Sequence, residues 1–266
     1  MSPEILIDKK DGVATVTINR PPVKNALTAA MARALTTFFQ SLPSDAATRV
    51  VVLTGGGTDF CSGADLKELS VSLDPSAQTR SLAVSRQVRE LSWPLFLALH
   101  DIPQPVIASV RGHAVGAGAQ LCLSADLVVA SETARISIPQ VRLGHSVDHG
   151  ESWYLPRKVG LGRALQLVLL GDSIGAQEAE KYGIINWLVS DALLEQRTSE
   201  IATKLANNPP VALTQTKRLL SNSFGRSLGE QFEAEARAIG VCAASADFVE
   251  AISAATAKRK PVFTGR

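Results

Sequence analysis

Apolar and polar positions alternate at the start of the chain. Residues 4–10 (EILIDKK) and 13–20 (VATVTINR) run with period two, and Asp11-Gly12 separates them. That pattern predicts a β-hairpin. A loop follows at residues 21–28 (PPVKNALT). Thr28 stands where it can cap a helix over residues 29–42, whose apolar positions recur with helical spacing. Residues 49–57, 104–112 and 125–131 are short apolar runs bounded by turn residues, which predicts buried strands. Between the second and third lies a small-residue turn, Gly116-Ala117-Gly118, and then a short helix. Residues 71–103 predict a loop and then a helix that Pro94 kinks or ends. From about residue 196 the strand signals stop and the pattern is helical. Strands ending in glycine turns, each followed by a helix, predict an α/β architecture. The expected division is an α/β core over residues 1–195 and a helical C-terminal region over 196–266.

Composition narrows the partners more than the fold. With 27 basic and 25 acidic residues the net charge is +2, which argues against nucleic acid or an anionic membrane surface as the main partner. No run of about 18 apolar residues is present, so no membrane-spanning helix is expected. The N-terminus lacks the basic start and apolar stretch of a secretory signal. Cys61, Cys122 and Cys242 are odd in number and widely spaced, without a metal-binding or disulfide pattern. Together these features predict a cytoplasmic protein with no metal and no permanently bound cofactor.

Two stretches carry candidate chemistry. Ser62-Gly63-Ala64 and Gly116-Ala117-Gly118 each fall where a strand hands over to a helix. Small residues there let a ligand approach the main chain. The first N–H groups of a helix lack intrahelical partners and sit at its positive end. Two such turns facing one point would form a pair of donors for a developing oxyanion.

In this order, and with their flanking residues, the motifs resemble the crotonase family, the enoyl-CoA hydratase/isomerase superfamily. The resemblance covers nearly the whole chain. It runs through residues 17–28 (TINRPPVKNALT), 60–69 (FCSGADLKEL), 104–131, 155–160 (LPRKVG), 171–189 and the closing AKRKPVF. It implies an α/β fold, a spiral of ββα units followed by a helical C-terminal trimerisation region, and a homotrimer or dimer of trimers. The implied ligand is an acyl-CoA thioester, with coenzyme A present only as part of the substrate. By the same resemblance the N–H groups of Ala64 and Ala117 receive the thioester oxygen and stabilise an enolate. Gly116 belongs to the second turn. Lys24, Asp65 and Leu66 fall where the coenzyme is bound, and Lys258 matches a lysine that reaches the coenzyme of a neighbouring subunit. An aromatic residue often found three positions before that lysine is Ala255 here.

The chain departs from the family at one point of chemistry. The two glutamates that handle the water and its proton in familiar hydratases correspond to Gln120 and Gln140. An amide holds water by hydrogen bonds but does not exchange protons near neutral pH. The resemblance offers a replacement, because some relatives carry a functional aspartate in the loop before LPR, where Asp148 falls. Alternatively, Asp148-His149-Gly150-Glu151 has the spacing of a capping box, with Asp148 as a helix N-cap. His145 and His149 are the neighbouring proton carriers, and His100 and His113 are read as structural. Leu91, Trp93, Leu95 and Phe96 are available to an acyl pocket or to the core.

The leading expectation is an enoyl-CoA hydratase/isomerase-type enzyme that uses Asp148 in place of the glutamate pair. The alternatives are an acyl-CoA-binding protein without turnover, and a thioester hydrolase or dehalogenase-like enzyme with Asp148 as nucleophile.

Overall fold

The computed structural model describes residues 3–70 and 76–266. Residues 71–75 of the expected loop lie outside them. The chain begins with the expected hairpin, β1 (Ile5–Lys10) antiparallel to β2 (Val13–Ile18). Asp11 and Gly12 both have positive φ, 50° and 79°, as a two-residue I′ turn requires. Thr28 caps helix α1 (Ala29–Ser41), its hydroxyl accepting the N–H of Met31.

Next come β3 (Val50–Gly55), α2 (Leu66–Ser70), α3 (Ala77–Gln87) and α4 (Trp93–Asp101). A single π turn over Val88–Ser92 joins α3 to α4. Pro94 stands in the first turn of α4, so the proline coincides with the break in regular helix rather than ending it. β4 (Val106–Val110), β5 (His113–Val115), α5 (Ala117–Ser124), β6 (Leu127–Ser131) and β7 (Arg135–Ser137) follow. After these come α6 (Glu151–Val159), α7 (Leu161–Leu170), β8 (Ile174–Gly175), α8 (Ala176–Lys181) and β9 (Trp187–Val189). Four helices close the chain: α9 (Leu194–Ala206), α10 (Pro210–Ser221), α11 (Leu228–Ala243) and α12 (Ala246–Thr256).

The main sheet has six strands in the order β1-β2-β3-β4-β6-β9, parallel beyond the first hairpin. A second sheet, β5-β7-β8, lies beside it. Side-chain alternation explains why the central strands are largely apolar. Val51 and Leu53 of β3 face a large core shared with Leu35 and Phe39 of α1, Leu99 of α4 and Leu121 of α5. Val50 and Val52 point the other way and meet Ile201, Ala202 and Ala206 of α9. Ile107 of β4 and Val129 of β6 share that second core. Both faces of the sheet are covered, so the central strands are mostly apolar, and their buried hydroxyls are bonded, Ser109 to Thr198 and Ser131 to Thr133. The same burial places α5 against the sheet, with β5 leading into it, and this fixes the site.

Candidate active site

The first turn is held from two sides. Leu27 N–H donates to Gly63 O, and Asp65 N–H returns the bond to Leu27 O, both at 2.8 Å. On the opposite side Cys61 N–H donates to His113 O at 2.8 Å, and Val115 N–H donates to Cys61 O at 3.0 Å. Residues 61–65 are thus stitched between the loop before α1 and β5. Buried Asn25 braces that loop, its amide donating to Gly56 O and Asp59 O while its oxygen accepts Arg20 N–H.

The second turn hinges on Gly116, at φ 51° and ψ −116° immediately before α5. That conformation is closed to L side chains and open to glycine. The two turns approach closely. A Cβ on Gly63, itself at φ 99°, would stand 2.8 Å from Val115 O and 3.7 Å from Ala117 N. Among the hydrogen bonds of the described residues, none uses the N–H of Ala64 or of Ala117. Ala117 opens α5, where the helix end adds positive potential.

One helical turn further along α5 lies Gln120, fully buried, its amide donating to Ser124 Oγ at 2.8 Å. Gln140 is also buried, and its amide donates to Glu151 Oε1 at 2.6 Å. Glu151 has no solvent exposure, and its other oxygen accepts His149 N–H at 2.9 Å. A Cβ on Gly150 would lie 3.4 Å from Gln120 Nε2, so this loop passes over α5. His149 stacks on Phe96 at 5.3 Å between centroids, and its Nε2 is 3.4 Å from Asp148 Oδ1. Asp148 keeps a quarter of its side chain exposed. Four buried polar atoms in this cluster have no hydrogen-bond partner among the described residues: Gln120 Oε1, Gln140 Oε1, Asp148 Oδ1 and His149 Nδ1.

The structure corrects the capping alternative for Asp148. Helix α6 starts at Glu151 with Gly150 as its N-cap, at φ 102°, and no side chain caps it. The left-handed glycine moves the helix start two residues beyond Asp148, and Glu151 reaches back to His149 instead. Glu151 is the main residue that sequence reasoning left without a role. Its contact with Gln140 joins residues 11 apart across a loop, and no periodicity signals it. A second unforeseen feature is the chain running outward from Gln120. Ser124 borders Tyr154, whose hydroxyl lies 2.7 Å from His100 Nδ1. Burial pushes the Tyr154 hydroxyl up to about 12, so it stays neutral and serves as a fixed dipole.

The remaining candidates are scattered. Lys24, at φ 50°, gives its carbonyl to Ser62 N–H, and its Nζ lies 3.4 Å from His113 Nδ1. His113 also meets Asp59 at 2.6 Å. Burial opposes ionisation of Asp59, but its bonds from His113 and Thr58 outweigh that and hold the carboxyl low. Asp65 is bound by Lys67 N–H and by Arg20, both at 3.0 Å, which keep its carboxyl below the usual range. Leu66 is exposed. Lys258 sits just beyond α12, and no hydrogen bond or ion pair joins it to these residues within the described chain. Of the apolar candidates, Leu95 belongs to the core, Phe96 backs His149, Leu91 is partly buried and Trp93 is half exposed. No group of three or more His, Cys, Asp or Glu side chains placed to hold a metal occurs among the described residues.

The family model described as enoyl-CoA hydratase/isomerase matches residues 8–266. The chain belongs to that family. Its fold is the α/β crotonase fold, as the motifs implied. Among solved structures, an enoyl-CoA hydratase from Bacillus anthracis superposes with a TM-score of 0.90 at 33% identity, covering 99% of this chain and 100% of the other. Among named relatives, a "Probable enoyl-CoA hydratase" of Rhodobacter capsulatus is 39% identical, over 96% of each chain. The 1,2-epoxyphenylacetyl-CoA isomerase of Escherichia coli K12 is 36% identical, over 98% of each.

Proposed function

We propose that this family member acts on an acyl-CoA thioester, whose carbonyl oxygen is received between the N–H groups of Ala64 and Ala117. The observation that carries this reading is the close approach of two turns whose N–H groups have no partner within the described chain. A thioester forms an enolate when its α-proton leaves. Fixed donors stabilise that charge without reorganising, and removal of one such donor costs roughly 2.7–4 kcal/mol. Lys24, Asp65, Leu66 and the Gly116 turn bind the coenzyme and the thioester. Lys258 serves a neighbouring subunit, since nothing joins it to the site of its own chain. Exposed apolar side chains on the last two helices, including Phe232, Ile239, Val249 and Ile252, support a homotrimer built through the region after residue 196.

Asp148 is the acid/base in this reading, with Gln120 and Gln140 as neutral hydrogen-bonding walls. A double-bond shift needs one group that takes a proton and returns it one or two carbons away. Hydration needs a group that activates water and a source for the α-proton. With Glu151 engaged by Gln140 and His149, Asp148 is the carboxylate left to exchange protons, which favours isomerisation of an enoyl-CoA over ordinary hydration.

The two amides also support a second reading, an acyl-CoA-binding protein that turns nothing over. Incubating the purified protein with enoyl-, dienoyl- and saturated acyl-CoA thioesters separates the two. Isomerised product without added water supports the enzyme. Tight binding without turnover supports the binder. No binding of any thioester ends both.

A further inference from the structure

Glu151 is a carboxylate without access to solvent, and no step above uses it. Its two oxygens accept from Gln140 Nε2 at 2.6 Å and from His149 N at 2.9 Å. Both of its oxygens are engaged as acceptors. It therefore draws the NH2 of Gln140 toward itself and leaves Oε1 as the free end of that amide. This Oε1 is buried and unpartnered among the described residues. Gln120 repeats the pattern, its NH2 on Ser124 and its Oε1 free. An amide that could otherwise turn either end inward is here held as an acceptor. A buried acceptor without a donor costs free energy until one arrives.

We infer that Glu151 is a positioning residue that makes Gln140 a hydrogen-bond acceptor toward the bound thioester, and that the site selects acyl groups bearing a hydroxyl to meet it. The inference rests on the thioester reading above. A purely hydrocarbon chain leaves the acceptors unmet, whereas a hydroxyl donates to one of them.

Glu151→Gln is the direct test. The new side chain has the same size and keeps an oxygen for His149 N–H, but it presents an NH2 to Gln140. Gln140 must then turn over, and its free end becomes a donor. The exchanged pair, Gln140→Glu with Glu151→Gln, keeps the bond between the two side chains and restores a free acceptor oxygen at position 140. Titration calorimetry with butanoyl-CoA and with 3- and 4-hydroxybutanoyl-CoA reads the effect. The wild-type protein is expected to bind one hydroxylated ester at least about tenfold more tightly than butanoyl-CoA. Glu151→Gln loses that preference while keeping its butanoyl-CoA affinity and its thermal midpoint, and the exchanged pair regains the preference. Gln140→Met removes the free acceptor and loses the same preference, so the outcome does not depend on one variant folding. Equal wild-type affinity for all three esters, as when water alone fills the place, overturns the inference. So does a preference that Glu151→Gln leaves intact. Binding of none of the esters by the wild type sinks the thioester reading itself.

Discussion

Gly63 passes so close to Val115 that a methyl group on it would stand 2.8 Å from the Val115 carbonyl oxygen. Its φ of 99° adds a conformation that side chains rarely adopt. Gly63→Ala therefore meets backbone strain and a main-chain clash together. The two terms cost roughly 2–6 kcal/mol if they add. Urea unfolding should show a lower midpoint with an unchanged m-value, and acyl-CoA binding should weaken because the turns are pushed apart. A variant as stable as the parent, with full binding, would show that the turns are not in contact.

Ala117→Pro removes one candidate donor at a position where proline is favoured, the first residue of a helix. Gly116, at φ 51° and ψ −116°, adopts the mirror image of an extended conformation, and extended backbone is what a residue before proline prefers. The fold should survive, with a thermal midpoint close to the parent's. Turnover of an acyl-CoA should fall by about 10²–10³. Unimpaired kcat/KM in a folded variant would remove Ala117 N–H from the mechanism.

Asp148→Asn tests the proposed acid/base role. The substitution keeps shape and removes the exchangeable proton. The expected result is a fall in kcat of about 10²–10⁴ with the thioester dissociation constant little changed. Parallel loss of binding would mean that Asp148 holds the ligand, and unchanged kcat would mean that the proton is carried elsewhere.

The elements that speak through local chemistry were legible in the chain. Asp11-Gly12, Thr28 and the apolar runs of β3, β4 and β6 each carry their own signal. β5, β7 and β8 do not, because strands of two or three residues are too short for a period to register. At the site, the glycines of the two turns were readable because the backbone needs them there. Asp148 was ambiguous for a physical reason: the D-x-x-E spacing suits a capping box as well as a working carboxylate. The left-handed Gly150 rules out the cap, and φ is not written in the residue spacing. The pairing of Gln140 with Glu151 and the contact of Tyr154 with His100 arise from where α6 packs, tertiary contacts without local trace.

Cys61 links the first turn to the stability of the whole fold. Its Sγ accepts Gly63 N–H at 3.4 Å, and burial pushes its thiol up to about 12 from an ordinary 9.0. Buried Cys122 is raised to about 12 in the same way. A raised thiol means that the folded state holds its proton more tightly than the unfolded chain does. The associated stability is complete below pH 9 and is lost as pH climbs toward 12. Each buried thiol steepens that loss by up to about 1.4 kcal/mol per pH unit. Tyr154, raised to about 12 from 10.0, joins only above pH 10, and burial lowers Lys158, which works in the opposite sense, so between pH 9 and 10 the Cys61 contribution is read as the difference between parent and variant. Urea unfolding across that interval should show a shallower decline in Cys61→Ala than in the parent. Iodoacetamide should alkylate partly exposed Cys242 first in the native protein. Identical pH slopes in parent and variant would mean that the Cys61 thiolate forms inside the folded chain, and that the first turn opens to water far more readily than its packing implies.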